Sequence, residues 1–193
     1  MNKKIITITG YSASGKSTII KSIEEEFDCD TISFGQIHKE CVKDSNYDYA
    51  KDWIRKEGFE AYEKQLILHF MRKMIFALKE GKQFVIIDGI FSERCFSYLK
   101  RAKGIDVTNI VLETDDNTRI LRMSDRERVD YEVARSHLIT TDAIKKQAGL
   151  DTIFNFADYR IDGNQSKKMI RKILFSIMQN LGCCIKSREE IIK

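Results

Sequence analysis

Residues 5–9, Ile-Ile-Thr-Ile-Thr, are an unbroken β-branched run that leads directly into Gly10-Tyr-Ser-Ala-Ser-Gly15-Lys16-Ser17. The run is too continuous for a strand with one wet face, so it predicts a strand over 3–9 covered on both sides. Ile19, Ile20, Ile23 and Phe27 then recur at helical spacing and predict a helix over 16–27. A buried strand and a helix joined by a loop rich in small residues is the context in which G-x-x-x-x-G-K-[ST] binds phosphate. Gly10 and Gly15 let successive N–H groups of Ser12, Ala13, Ser14, Lys16, Ser17 and Thr18 turn into one anion-sized hollow. The helix that follows adds its positive end. Lys16 then reaches the outer phosphates, and the Ser17 hydroxyl is a ligand for Mg²⁺.

Four further short runs have strand character: 29–34, 83–89, 107–114 and 158–164. Helical patterns lie between them, starting near Gly35, over Phe59 to Glu80, over 92–103 and over 165–181. Residues 44–58 are polar with scattered aromatics, and 115–157 are charged and helical in pieces. Five strands alternating with helices predict an α/β, three-layer fold, a five-stranded parallel sheet with helices on both faces. The second acid the loop chemistry needs is Asp88, at the end of the apolar run Phe-Val-Ile-Ile. At that place an Asp holds the metal ion or takes a proton from an acceptor.

The chain has 193 residues and carries 33 basic against 29 acidic side chains, a net charge of +4. That length suits one domain with its own core. The mild positive charge suits anionic ligands without demanding nucleic acid. Five Cys with no C-x-x-C pair and no spaced His partners read as reduced thiols in a cytoplasmic protein. No apolar stretch approaches the length of a membrane span, and the run after Lys3 and Lys4 is too short for a signal peptide. There is no Pro, so Gly, Asn, Asp and Ser make the turns. A guanine-reading N-K-x-D is absent, which argues against a Ras-like GTPase.

Four stretches carry a resemblance: "ITGYSASGKST", "ISFGQIHKE", "FVIIDGIFSE", and "RMSDRERVDYEVARSHL" with "ADYRIDGNQS". Together they resemble the nucleoside-monophosphate-kinase-like group of P-loop kinases, in particular dephospho-CoA kinases and cytidylate-kinase-like proteins. The resemblance implies the P-loop NTPase fold, ATP as donor, and a helical lid over about 115–157. The acceptor-binding helical region would span about 35–80. The stretch after Asp88, Gly89-Ile-Phe-Ser, departs from the Pro-Leu-Leu those kinases carry.

Arg119, Arg122 and Arg126 are spaced by three and four, so a helix places them on one face. Closing such a lid brings permanently charged, planar donors over the transferring group and excludes water. Arg122 and Arg126 are the expected catalytic pair, beside Lys16 and Asp88, with Arg119 binding the nucleotide. On the acceptor side the expected contacts are Gln36 and Lys39 after the second strand, and Glu93 and Arg94 after the third. His38 reads as a helix-surface residue. Trp53, Tyr47, Tyr49, Phe59 and Tyr62 form either part of the core or a platform for a base, core being the commoner use. The leading expectation is an ATP- and Mg²⁺-dependent transfer to a nucleotide-like small molecule. The alternatives are a polynucleotide kinase and an ATP-binding switch that hydrolyses slowly.

Overall fold

The computed structural model describes residues 3–186. Five strands, β1 (Lys3–Thr9), β2 (Asp30–Ser33), β3 (Phe84–Asp88), β4 (Ile105–Glu113) and β5 (Tyr159–Asp162), pair in the order β2-β3-β1-β4-β5. All four pairings are parallel. Parallel strands need crossovers over the sheet faces, so both faces are covered, and the central strands β1, β3 and β4 carry the buried apolar runs while the edge strands β2 and β5 are short and more polar. Alternate side chains feed two cores. Ile5, Val85 and Ile87 point into a layer with α2 (Phe34–Lys43), α3 (Ala50–Glu57), α4 (Phe59–Glu80) and α5 (Glu93–Arg101). Ile6, Ile8 and Ile86 point the other way, toward α1 (Lys16–Glu26) and α9 (Lys167–Asn180).

Residues 114–157 build α6 (Asp116–Glu127), α7 (Tyr131–Gln147) and the short α8 (Leu150–Phe154). The first two share a small core of their own, Ile120, Met123, Ala134 and Leu138, against which Ala13 of the loop packs. Asp115 and Asp130 cap α6 and α7 through the N–H groups of Thr118 and Val133. The helix α3 falls where the sequence shows only polar residues and scattered aromatics. Its inward positions, Ala50 and Trp53, are too few to set a period, and packing on α4 decides its conformation.

Parallel order aligns the carboxyl ends of the strands along one rim. Asp88 pairs in register with Ile8 of β1 and Ser33 of β2. The loop after β1 therefore opens beside Asp88, where clefts form in open parallel sheets. Among the described residues no helix is long and apolar enough to cross a membrane.

Candidate active site

The loop between β1 and α1 is shaped by two glycines. A Cβ on Gly10 would lie 2.7 Å from the carbonyl oxygen of Leu112, closer than β4 permits. Gly15 adopts a φ of 103°, a region that side chains disfavour. Ala13 also sits in the left-handed region, with φ 59°, a strain of about 1 kcal/mol. The carbonyls of Ser12 and Ser14 turn to the back of the loop, where donors meet them. Arg122 donates to Ser14 O at 2.9 Å, Thr114 to the same oxygen at 3.2 Å, and Arg119 to Ser12 O at 3.2 Å. Within the loop the Ser14 N–H donates to Tyr11 O at 3.3 Å. Helix α1 begins here with no side-chain cap and no acid in its first turn, so its orphan N–H groups and positive end remain for an anion.

Lys16 is 8 % exposed and fills the hollow itself. Its ammonium donates to Gly10 O at 2.7 Å, Tyr11 O at 2.8 Å and Ser14 Oγ at 3.1 Å. Burial, reinforced by the nearby Lys145 cation, brings its pKa down to about 7. Ser17 Oγ donates to Asp88 Oδ2 at 2.9 Å, so a hydroxyl and a carboxylate stand side by side at the loop's mouth. Two hard oxygen donors of this kind fit a Mg²⁺ that keeps several waters.

Two cavities flank the loop. One, of 340 Å³, lies between the start of α1, α6 and the start of α9, with Thr18, Arg122, Asp125 and Lys167 on its walls. The other, of 680 Å³, lies between β2–α2, the end of β3 and α7, and is walled by Gln36, His38, Lys39, Asp88, Phe91 and Lys145. Ala13, Lys16, Ser17 and Arg126 line both. The loop lysine is therefore part of the wall of both.

A family model described as an AAA domain matches residues 6–141, well over half of the chain. The chain belongs to the AAA domain family. Its relatives include a dephospho-CoA kinase of Prochlorococcus marinus, 25 % identical over 166 residues and covering 79 % of each chain. A cytidylate kinase of Methanocaldococcus jannaschii is 27 % identical over 143 residues, 74 % of this chain and 75 % of that one. Two shikimate kinase structures share the fold. The one from Bacteroides thetaiotaomicron has a TM-score of 0.60 at 14 % identity, over 92 % of this chain and 98 % of its own. The one from Aquifex aeolicus has a TM-score of 0.51 at 18 % identity, over the same shares. The chain is a P-loop kinase.

In this kinase the three arginines of α6 do not act as one set. Arg119 is 6 % exposed and ion-paired with Asp142 and Asp116, each at 2.7 Å, with its face over the Tyr11 ring. Both terminal nitrogens of its guanidinium are engaged, on Asp142, Asp116 and Ser12 O, so Arg119, expected to bind the nucleotide, stands in this structure bracing the loop from behind. Arg122 also faces the loop's back, with its second nitrogen on Gly163 O at 2.9 Å. Of the three, Arg126 is the open one, 59 % exposed, and among the described residues its guanidinium is hydrogen-bonded to Glu127 and Met123 Sδ. Glu127 in turn is held below the usual carboxylate range by His137 and Arg126.

Gln36 and Lys39 line the larger cavity. Glu93 and Arg94, also expected on the acceptor side, are not among its lining residues, and each has a local partner. Glu93 packs against Gly149, and Arg94 is paired with the buried Glu63 at 3.3 Å. His38 belongs to the cavity wall and not to the outer surface. Its Nδ1 is hydrogen-bonded to the Tyr62 hydroxyl at 2.7 Å, and burial with Lys145 nearby lowers its pKa to about 4. Trp53 and Tyr62 are core, and Tyr47 stacks on Trp53 with ring centroids 5.8 Å apart. Lys145 is the wall residue that sequence reasoning missed. It extends the buried stripe Ala134, Leu138, Asp142 of α7, so a cation at an inward position was the available signal.

Proposed function

We propose that this kinase moves the γ-phosphate of ATP to a nucleotide-like small molecule, with the donor base side in the smaller cavity and the acceptor in the larger. The wall that the two cavities share, made of Lys16, Ser17, Ala13 and Arg126, carries this reading. A transfer needs two substrates whose reacting ends share one set of phosphate-binding groups.

In this mechanism the loop N–H groups and Lys16 hold the β- and γ-phosphates. Lys16 gives up the loop oxygens as phosphate arrives, and the anion favours its charged form. Ser17 and Asp88 would hold Mg²⁺, which supplies charge neutralisation at the phosphates. Asp88 orients the acceptor hydroxyl. The acceptor oxygen bonds to the γ-phosphorus and its proton passes to the Asp88 carboxylate. The bond from that phosphorus to the β-phosphate oxygen breaks, and ADP leaves with the electron pair. Arg126 swings from Glu127 onto the transferring group as α6 and α7 close as a lid, the role this reading gives to residues 115–157. Residues 35–80 supply the acceptor side, and the whole chain acts as one kinase domain.

The acceptor is anionic in this reading. Lys39, Lys145 and Arg126 outweigh Asp88 and Glu127 on the wall of the larger cavity, and Gln36 and Phe91 add an amide and an aromatic face. Its 680 Å³ lies in the range of small-molecule sites, which supports a small acceptor over a polynucleotide. Cytidine monophosphate and dephospho-CoA, suggested by the names of the relatives, are the first acceptors to try. The test is to incubate the protein with MgATP and each of these, then weigh the products. A phosphorylated acceptor with matching ADP supports the proposal; ADP alone counts against it.

A further inference from the structure

Lys145 stands opposite Lys16 in the larger cavity, contributed by α7 where Lys16 comes from α1. The two ammonium groups differ in how they are satisfied. Lys16 donates to three oxygens of its own loop. Lys145 donates only to Ser12 Oγ, at 2.8 Å, among the described residues. An ammonium has three N–H donors, so two remain for something else. The carboxylate one turn earlier on its own helix, Asp142, lends its charge to the surroundings but gives Oδ2 to Arg119, and its Oδ1 makes no hydrogen bond to Lys145 or to any other described residue. The other close neighbour is the Phe91 ring, with its centroid 5.9 Å from the nitrogen. A half-buried cation with one hydroxyl partner is expensive to keep unless an anion visits it.

Its position says which anion. Ser12 belongs to the stretch of loop between Gly10 and Lys16, and Asp88 and Lys16 are charged neighbours of the same nitrogen's surroundings. His38 is a neighbour on the α2 side, and Arg119 and Arg126 on the α6 side. Lys145 therefore reaches the point where donor and acceptor meet, from the side that Lys16 cannot cover.

We infer that Lys145 leaves Ser12 during turnover and binds the oxygens of the phosphoryl group in flight, so that two lysines from opposite walls flank it. This rests on the phosphotransfer proposed above. Because Lys145 belongs to α7, its contact also couples closure of the α6–α7 unit to the arrival of a transferable phosphate. An empty loop leaves it on Ser12, and a terminal phosphate draws it inward.

The experiment compares binding of MgADP alone with binding of MgADP plus aluminium fluoride, which mimics the planar phosphoryl group, by titration calorimetry. Wild type, Lys145→Met and Lys145→Arg are compared, with thermal midpoints as the folding control. The expected result is that ADP affinity stays within about twofold in all three, since the loop and Lys16 hold the diphosphate. The gain from aluminium fluoride falls about tenfold or more in Lys145→Met and returns in Lys145→Arg. A full gain in Lys145→Met overturns the inference and leaves phosphotransfer standing. So does a joint loss of ADP affinity and thermal midpoint that arginine fails to restore, since that marks a structural role. No gain in wild type overturns both this inference and the phosphotransfer reading.

Discussion

The Ser17 hydroxyl donates to the Asp88 carboxylate at 2.9 Å, joining two positions 71 residues apart at the carboxyl rim of the sheet. The register that pairs Ile8 with Asp88 makes this contact possible. Replacing Asp88 by Asn keeps the hydrogen bond and the volume but removes the charge and the proton acceptor. Turnover is expected to fall about a hundredfold or more, as for loss of a general base. ATP binding without Mg²⁺ should change little. Steady-state kinetics beside calorimetry with and without Mg²⁺ checks both halves.

Burial holds the Lys16 pKa near 7 and the Lys145 pKa near 8, against 10.5 for a free lysine. Between those values and 10.5 the unfolded chain carries more protons than the folded one. Stability therefore rises with pH across that window, and is lowest below the folded pKa values. The thermal midpoint of the nucleotide-free protein should climb from pH 7 toward pH 10 relative to Lys16→Met, in which part of the slope is gone. A bound phosphate reverses the shift on Lys16. ATP binding at pH 8 should then take up protons, seen as a dependence of the calorimetric heat on buffer ionisation enthalpy.

Arg119 and Arg126 separate structure from turnover. Arg119→Ala strands the buried Asp142 and should cost about 3–5 kcal/mol of stability. Arg126→Ala removes an open side chain and should leave the melting temperature unchanged while lowering turnover about tenfold or more. Melting curves and kinetics on the two variants decide it; the opposite pattern would exchange their roles.

Trp53 is buried between Tyr47 and Tyr62, and its indole N–H donates to Glu57 at 3.1 Å. Trp53→Ala should cost about 3–5 kcal/mol, as for a large core aromatic. Nucleotide affinity in the folded fraction should stay the same. A denaturant titration with binding measured well below the midpoint tests this against a base-stacking role.

What could be read from the sequence was what depends on near neighbours. The loop and its flanking strand and helix are set by fewer than thirty consecutive residues. Asp88 was marked by the four apolar residues before it, and the sheet by the alternation of runs. What escaped depends on distant partners. Arg119 and Arg126 look alike in the sequence, and it takes Asp142, in the next helix, beside Asp116 to commit one of them. Glu93 and Arg94 follow a strand end, as acceptor contacts would, but Gly149 and Glu63 turn them away. Lys145 reads as one more cation in a charged helix, because its neighbours Ser12 and Phe91 lie more than fifty residues away.

The central claim is transfer between the two cavities across Lys16. The measurement that addresses it most directly follows γ-labelled ATP into a panel of acceptors: nucleosides, nucleoside monophosphates, dephospho-CoA and oligonucleotides. Phosphotransfer predicts label on a nucleotide-like small molecule, lost in Lys16→Met and Asp88→Asn. Label released only as inorganic phosphate, at a rate that no acceptor raises, would contradict it.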